Sequence, residues 1–412
     1  MQMKSDVHWP SIPYPEYAGR IERARQCLAD HGLDAMILFS PADWWYYGGF
    51  TDAAQMCNGI WRTALIVSQE HDPVAVADTN FVWALRHSSW VEDLRYHCGS
   101  DHPAIKAVRS GEDFYAVLYD VLRELGLDTG TLGMETGREI LTYLGVDEFL
   151  QIREALPSAR FVSAEDAIFA QRAIKTPYEQ DLIREGCRRA SLCHRAAFEA
   201  IHPGVNERDV HRVFWQKALE LDLVESPYQG TWLCFSANPA ETLGGHRWIT
   251  GPVDRVIREG DCGHSDCGPT YKMYQMDFQR AFSVGEPSDE TRRYYDIGRQ
   301  AFLETLEAIR PGVPFSELHR ISVDGVTRRG APPHTIAFIG HGEGLANHEP
   351  PWIVKDNHDC VQEGMVLAIE VGAFDPSGVH FGGMLEDVVL VTENGIENVI
   401  APYLSRELYV AE

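Results

Sequence analysis

The chain has 412 residues, 36 Lys+Arg against 61 Asp+Glu, and a formal charge of −25. That length exceeds what one hydrophobic core fills, so two domains are expected, and a composition 44% hydrophobic and 24% charged excludes a disordered or fibrous chain. So acidic a surface repels phosphate backbones, which argues against nucleic-acid partners.

No uninterrupted apolar run reaches the ~20 residues that span a bilayer, so no membrane partner is expected. The opening Met1-Gln2-Met3-Lys4-Ser5-Asp6 lacks the pattern of a secretory signal. The nine cysteines are scattered and form no C-x-x-C pair. Reduced thiols in a cytoplasmic protein are the expectation.

In chain order, residues 17–31 have helical amphipathic spacing and Gly32 stops them. Residues 35–39 read as a buried strand, 63–67 and 74–77 as further strands, and 113–125 as a helix. Strands alternating with helices predict an α/β N-terminal layer. Residues 41–50 crowd Trp44, Trp45, Tyr46 and Tyr47 into an expected loop. A boundary is expected at 170–176, giving domains at 1–170 and 171–412. There Thr176-Pro177-Tyr178-Glu179 offers an N-cap, a proline at the first helical position and a capping-box Glu. Helices are predicted over about 177–201, 207–221 and 290–309. From Asp261 onward, paired strands and turns predict an α+β domain with helices packed on an antiparallel sheet.

Two candidate hairpins carry the chemistry. In the first, strands at 261–267 and 273–284 bring Asp266 opposite Asp277 if the turn centres between Tyr271 and Lys272. In the second, strands at 365–372 and 384–392 bring Glu370 opposite Glu386. Opposed like charges destabilise a sheet, and an apolar strand carrying one carboxylate needs a partner for that charge. The remedies are protonation of one member or a shared cation; only a cation relieves both pairs. His341, between Gly340 and Gly342, stands where backbone can approach a site closely. Four carboxylates and an imidazole form a hard ligand set suited to Mn, Fe, Co or Zn in a two-metal site.

With these motifs in order (Asp266 and Asp277; Gly340-His341-Gly342; His348-Glu349-Pro350; Ile369-Glu370; Glu386-Asp387), the chain resembles the creatinase/prolidase/aminopeptidase P family. The resemblance implies a creatinase-type N-terminal domain and a pita-bread catalytic domain, with two divalent ions per subunit, Mn first and Co, Fe or Zn as alternatives. It further implies that Asp266 chelates one ion, that Asp277 and Glu386 bridge, and that His341 and Glu370 hold the second. Glu370 would take the proton of the attacking water, His348 would stabilise the tetrahedral intermediate, and His246 matches a family histidine ahead of the first aspartate. A homodimer is implied, in which an N-terminal loop of one subunit lines the substrate site of the other, with the Trp44–Trp45 segment as the candidate for that loop.

Two departures bear on substrate. Glu370-Val371-Gly372 stands where prolidase-like members commonly have Glu-Pro-Gly, and Met384 where they commonly have Arg. Glu343 adds a charge where the family often has an apolar side chain. The leading expectation is a dimetal hydrolase of short Xaa-Pro-type peptides. The alternative is a creatinase-like enzyme for a small cationic or zwitterionic solute, hydrolysing an amide or amidine or cleaving dimethylsulfoniopropionate, with Glu343 among the substrate contacts.

Overall fold

The computed structural model describes residues 12–50, 61–99, 111–223, 231–237, 251–332, 338–375 and 383–412. The chain divides into two compact units, Met1–Arg172 and Ala173–Glu412.

The first unit carries α1 (Tyr14–Asp30), β1 (Ala35–Leu38), α2 (Pro41–Gly48), β2 (Thr63–Ser68), β3 (Val74–Asp78), α3 (Val82–Ser88), β4 (Asp93–His97), α4 (Phe114–Glu124), β5 (Thr131–Met134), α5 (Val146–Ala155), β6 (Arg160–Ser163) and α6 (Glu165–Arg172). Its six strands form one mixed sheet in the order β4-β3-β2-β1-β5-β6. The alternation of elements that predicted an α/β layer is present.

Residues 41–48 correct the expectation of a loop. Ser40 stands at the N-cap in extended conformation, a proline occupies the first turn, and Gly49 closes the C-terminus with φ 69°. Every residue of this short helix is buried, Trp44 to 0% and Trp45 to 1% exposure. The Arg20 guanidinium lies 5.0 Å from the Trp45 ring and 4.2 Å from that of Tyr46. Burial of large aromatic area outweighs the weak helix propensity of such rings.

The second unit opens with α7 (Pro177–Glu199), whose capping box forms as the sequence predicts: the Glu179 backbone N–H donates to Thr176 Oγ1 and Thr176 N–H to Glu179 Oε2. There follow α8 (Glu207–Glu220), β7 (Trp232–Ala237), β8 (Cys262–Gly268), β9 (Thr270–Tyr271), β10 (Tyr274–Gln275), β11 (Phe278–Val284), α9 (Asp289–Ala308), α10 (Phe315–Thr327), β12 (Gly340–Gly342), β13 (Glu349–Trp352), β14 (Val366–Gly372), β15 (Met384–Thr392), β16 (Gly395–Asn398) and β17 (Tyr409–Ala411). The strands form sheets ordered β17-β11-β8-β7 and β13-β12-β14-β15-β16, with β9 and β10 as a small hairpin. Leu367, Ile369, Val371, Val389 and Val391 point from one face of β14 and β15 into a core shared with Phe302, Leu306, Phe315 and Leu318 of α9 and α10. Period-two alternation then leaves Glu370 and Glu386 on the opposite face.

Candidate metal centre

The β14–β15 ladder pairs Glu370 directly with Glu386, as the sequence predicts. The β8–β11 hairpin differs by one step at its turn. Lys272 and Met273 both take positive φ, 45° and 78°, the form of a two-residue type I′ turn centred one residue later than expected. Asp266 therefore pairs with Gln279, and Asp277 is its diagonal neighbour. Moving the turn centre by one residue changes each pairing by two, which preserves the face. Both aspartates thus still project to one side. On β12, Gly340 takes φ 152°, and a Cβ at Gly342 would collide with the Pro350 carbonyl oxygen. Glycines on both sides let β12 press between β13 and β14 and bring His341 onto the carboxylate face.

The five predicted ligands converge. Asp266, Asp277 and Glu386 form one group, His341, Glu370 and Glu386 a second, and Asp277, His341 and His348 a third; within each, one donor atom per residue lies within 4.8 Å of the others. Glu386 and Asp277 each belong to two groups. His341 Nδ1 lies 3.0 Å from the Gly342 carbonyl, a contact that places its proton on Nδ1. Nε2 then carries the free lone pair, 3.8 Å from both Asp277 Oδ2 and Glu386 Oε1, without a hydrogen-bond partner among the described residues. Asp266 Oδ1 and Asp277 Oδ1 are likewise unpartnered. These orphaned, buried, hard donors fit divalent cations.

The electrostatics agree. Burial, then the charge of Asp277, lifts the Glu370 carboxyl to about 8. Burial and the neighbouring acids hold Asp266 and Glu386 well above the carboxylate range, and burial raises Asp277. Burial and the nearby His348 push His341 down to about 3, leaving a neutral imidazole ready to ligate.

The model of metallopeptidase family M24 matches residues 181–393, more than half the chain. The chain belongs to family M24. Residues 20–174 match the creatinase/prolidase N-terminal domain. Among relatives, the Xaa-Pro dipeptidase of Pyrococcus furiosus is 27% identical over 381 residues, covering 92% of this chain and 97% of that protein. A Bacillus sp. creatinase is 26% identical over 404 residues, 95% of this chain and 92% of its own. The solved Xaa-Pro dipeptidase of Bacillus anthracis shares the fold with a TM-score of 0.79, at 23% identity over 96% of this chain and 99% of that one. This M24 chain is a metal-dependent amide hydrolase.

The remaining predicted residues fall differently. In this M24 chain His348 is 44% exposed, with Nε2 3.6 Å from Asp277 Oδ2 and its ring 4.2 Å from that of His341. Glu343 lies on the metal face beyond His341, fully buried, with no hydrogen bond to either carboxylate oxygen among the described residues. Burial and the nearby Asp277 hold it well above the usual range. His246 lies outside the described residues. Trp44 and Trp45 are corrected: enclosed within the first unit, they present no surface to a substrate.

Three supporting residues escaped the sequence. Arg280 donates from Nη1 to the carbonyls of Glu386, at 2.7 Å, and Gln279, at 2.8 Å, and from Nη2 to Asp387 at 2.5 Å. Lys175 makes a buried ion pair with Glu349 at 3.1 Å, next to His348 in sequence. Gln279 is the third. A cation within an apolar strand was the available signal for Arg280, and Lys175 stands just ahead of the capping box.

Proposed function

We propose that the chain is a dinuclear hydrolase of short Xaa-Pro-type peptides, with a creatinase-type domain over 1–170 and a pita-bread catalytic domain over 171–412. The observation carrying this reading is the three donor groups that overlap in pairs through Asp277, His341 and Glu386. Asp266, Asp277, His341, Glu370 and Glu386 are the residues assigned to hold two divalent ions, Mn first, with Co, Fe or Zn as alternatives. Such ions supply a water acidic enough to ionise near neutrality and polarise the scissile carbonyl. Glu370 accepts the attacking water's proton and returns it to the leaving nitrogen. His348, the exposed imidazole beside Asp277, donates to the carbonyl oxygen as charge builds there, and His246 is assigned as a second donor. A cytoplasmic homodimer completes the reading. The Xaa-Pro dipeptidases among the relatives support the substrate class.

Glu343 favours a second reading, in which the substrate is a small cationic or zwitterionic solute. A buried carboxylate without a hydrogen bond on the metal face suits a cationic group, and the creatinase relative lends support. Protein stripped with a chelator and reloaded with Mn(II) should cleave Xaa-Pro dipeptides and lose that activity on stripping. No metal-dependent cleavage of any such peptide, with turnover of a zwitterionic solute seen by mass spectrometry, would replace the first reading with the second.

A further inference from the structure

Gln279 is fully buried, and among the described residues neither its Oε1 nor its Nε2 has a hydrogen-bond partner. A primary amide can donate two hydrogen bonds and accept two, and burying one with none made costs roughly 1–3 kcal/mol per lost group. The surroundings deepen the anomaly. Gln279 is the direct cross-strand partner of Asp266, so the two side chains share a face. Asp277, two residues back along the strand, projects to that face as well. On the other flank, Arg280 Nη1 donates to the carbonyls of both Gln279 and Glu386 and clamps those two backbones side by side. The amide therefore stands on the strand face that carries Asp266 and Asp277, two members of one donor group.

Asp266 Oδ1 and Asp277 Oδ1 both want a donor, and Nε2 of Gln279 wants an acceptor, yet no bond forms between them. Buried polar atoms left unpaired on one face are met when a further partner joins them. A hard cation at the centre of the group draws the carboxylate oxygens and a neutral amide oxygen alike, while the –NH2 group turns away from it.

We infer that Gln279 supplies a sixth protein donor, its amide Oε1, to the metal centre. A neutral oxygen enlarges the coordination sphere without adding to the charge of four clustered carboxylates. This inference rests on the metal reading above.

The test uses the full-length chain, stripped and titrated with Mn(II) by calorimetry, and the Co(II)-loaded form by visible absorption. Gln279→Met keeps length and apolar bulk but removes the oxygen. Its Mn(II) affinity should fall about 10-fold or more, within the 10–100-fold range typical of lost metal-site support, and its Co(II) bands should shift. Metal-free Gln279→Met should melt at or above metal-free wild type, because an unsatisfied buried amide has been replaced by an apolar chain. Gln279→Glu, which restores an oxygen donor, should recover the affinity. Unchanged affinity and unchanged Co(II) bands in Gln279→Met would overturn the inference. So would a lower melting temperature of its metal-free form, since Gln279 would then be structural, or Gln279→Glu binding no better than Gln279→Met. If wild type itself binds no divalent ion, the metal reading fails and takes this inference with it. Wild-type binding with an unaffected Gln279→Met variant sinks the inference alone.

Discussion

Stripping the divalent ions should make the second unit lose stability as pH rises above neutrality. Two ionised carboxylates at the separation found among Asp266, Asp277 and Glu386 repel by roughly 3–4 kcal/mol at an effective dielectric of about 20, so the metal-free site retains protons instead. Glu370 holds its proton up to about 8 in the folded chain, against about 4.3 when unfolded. Between those values the folded state binds more protons than the unfolded one, and stability falls with rising pH. His341 and His194, both pushed down to about 3 by burial, act in the opposite sense: unfolding lets them protonate, so their contribution rises with pH until about 6.5. The opposing effects overlap below that point, and from 6.5 to 8 the carboxyl effect stands alone. Over that interval Glu370 alone gives a loss of about 2 kcal/mol, equivalent to about 4–8 °C in melting temperature for a unit of this size. Asp266 and Glu386, which burial and the neighbouring acids also raise, act in the same direction. Differential scanning calorimetry of chelated protein at pH 6.5, 7.25 and 8, with and without Mn(II), measures the effect, and Mn(II) should flatten the slope except for the share of Glu343, which is no ligand. A metal-free melting temperature that is flat or rises across this range would refute the assignment of a proton-retaining acidic cluster, and a slope that Mn(II) does not reduce would refute the metal assignment.

Three further outcomes are expected. Glu370→Gln should lower kcat by about 10²–10⁴-fold with KM little changed, the range for loss of a general base, as steady-state kinetics at saturating Mn(II) will check. Lys175→Met should leave the buried Glu349 carboxylate without its cation and cost about 3–5 kcal/mol in chemical denaturation, and the double variant with Glu349→Gln should recover most of it. Trp45→Ala should cost about 3–5 kcal/mol in the stability of the first unit, while KM for a dipeptide at full Mn(II) loading stays unchanged, because the ring packs on Arg20 inside that unit.

The metal centre was legible because it violates the sequence pattern around it. Glu370 interrupts Val366-Leu367-Ala368-Ile369, and Glu386 precedes Val388-Val389-Leu390-Val391. An apolar run on a strand buried on both faces tolerates a charge only where something compensates it, so each carboxylate announces a partner. The N-terminus of α7 was legible for a local reason too: Thr176, Pro177 and Glu179 specify the cap through contacts four residues wide. What escaped lacks either signature. Helix α2 carries aromatic residues of modest helix propensity, and only their enclosure by distant parts of the first unit selects the helix. Lys175 and Glu349 are each unremarkable in sequence and acquire meaning only when folding brings residues 174 positions apart to within 3.1 Å.

The hairpin at Asp266 shows which part of such reasoning survives error. The exact pairing was missed because Lys272 and Met273 accept positive φ, a choice without a glycine to announce it. The site still assembled as expected, since the displacement changed every pairing by an even number and an even displacement cannot turn a side chain to the other face. Had the turn gained a single extra residue, Asp277 would have pointed away from Asp266 and the donor group would not exist. Face is thus the robust inference from a strand and exact partner the fragile one. The same distinction explains Gln279: the true register, not the predicted one, sets it directly across from Asp266, where an amide that reads in sequence as an ordinary polar strand position becomes the buried cross-strand partner of a carboxylate.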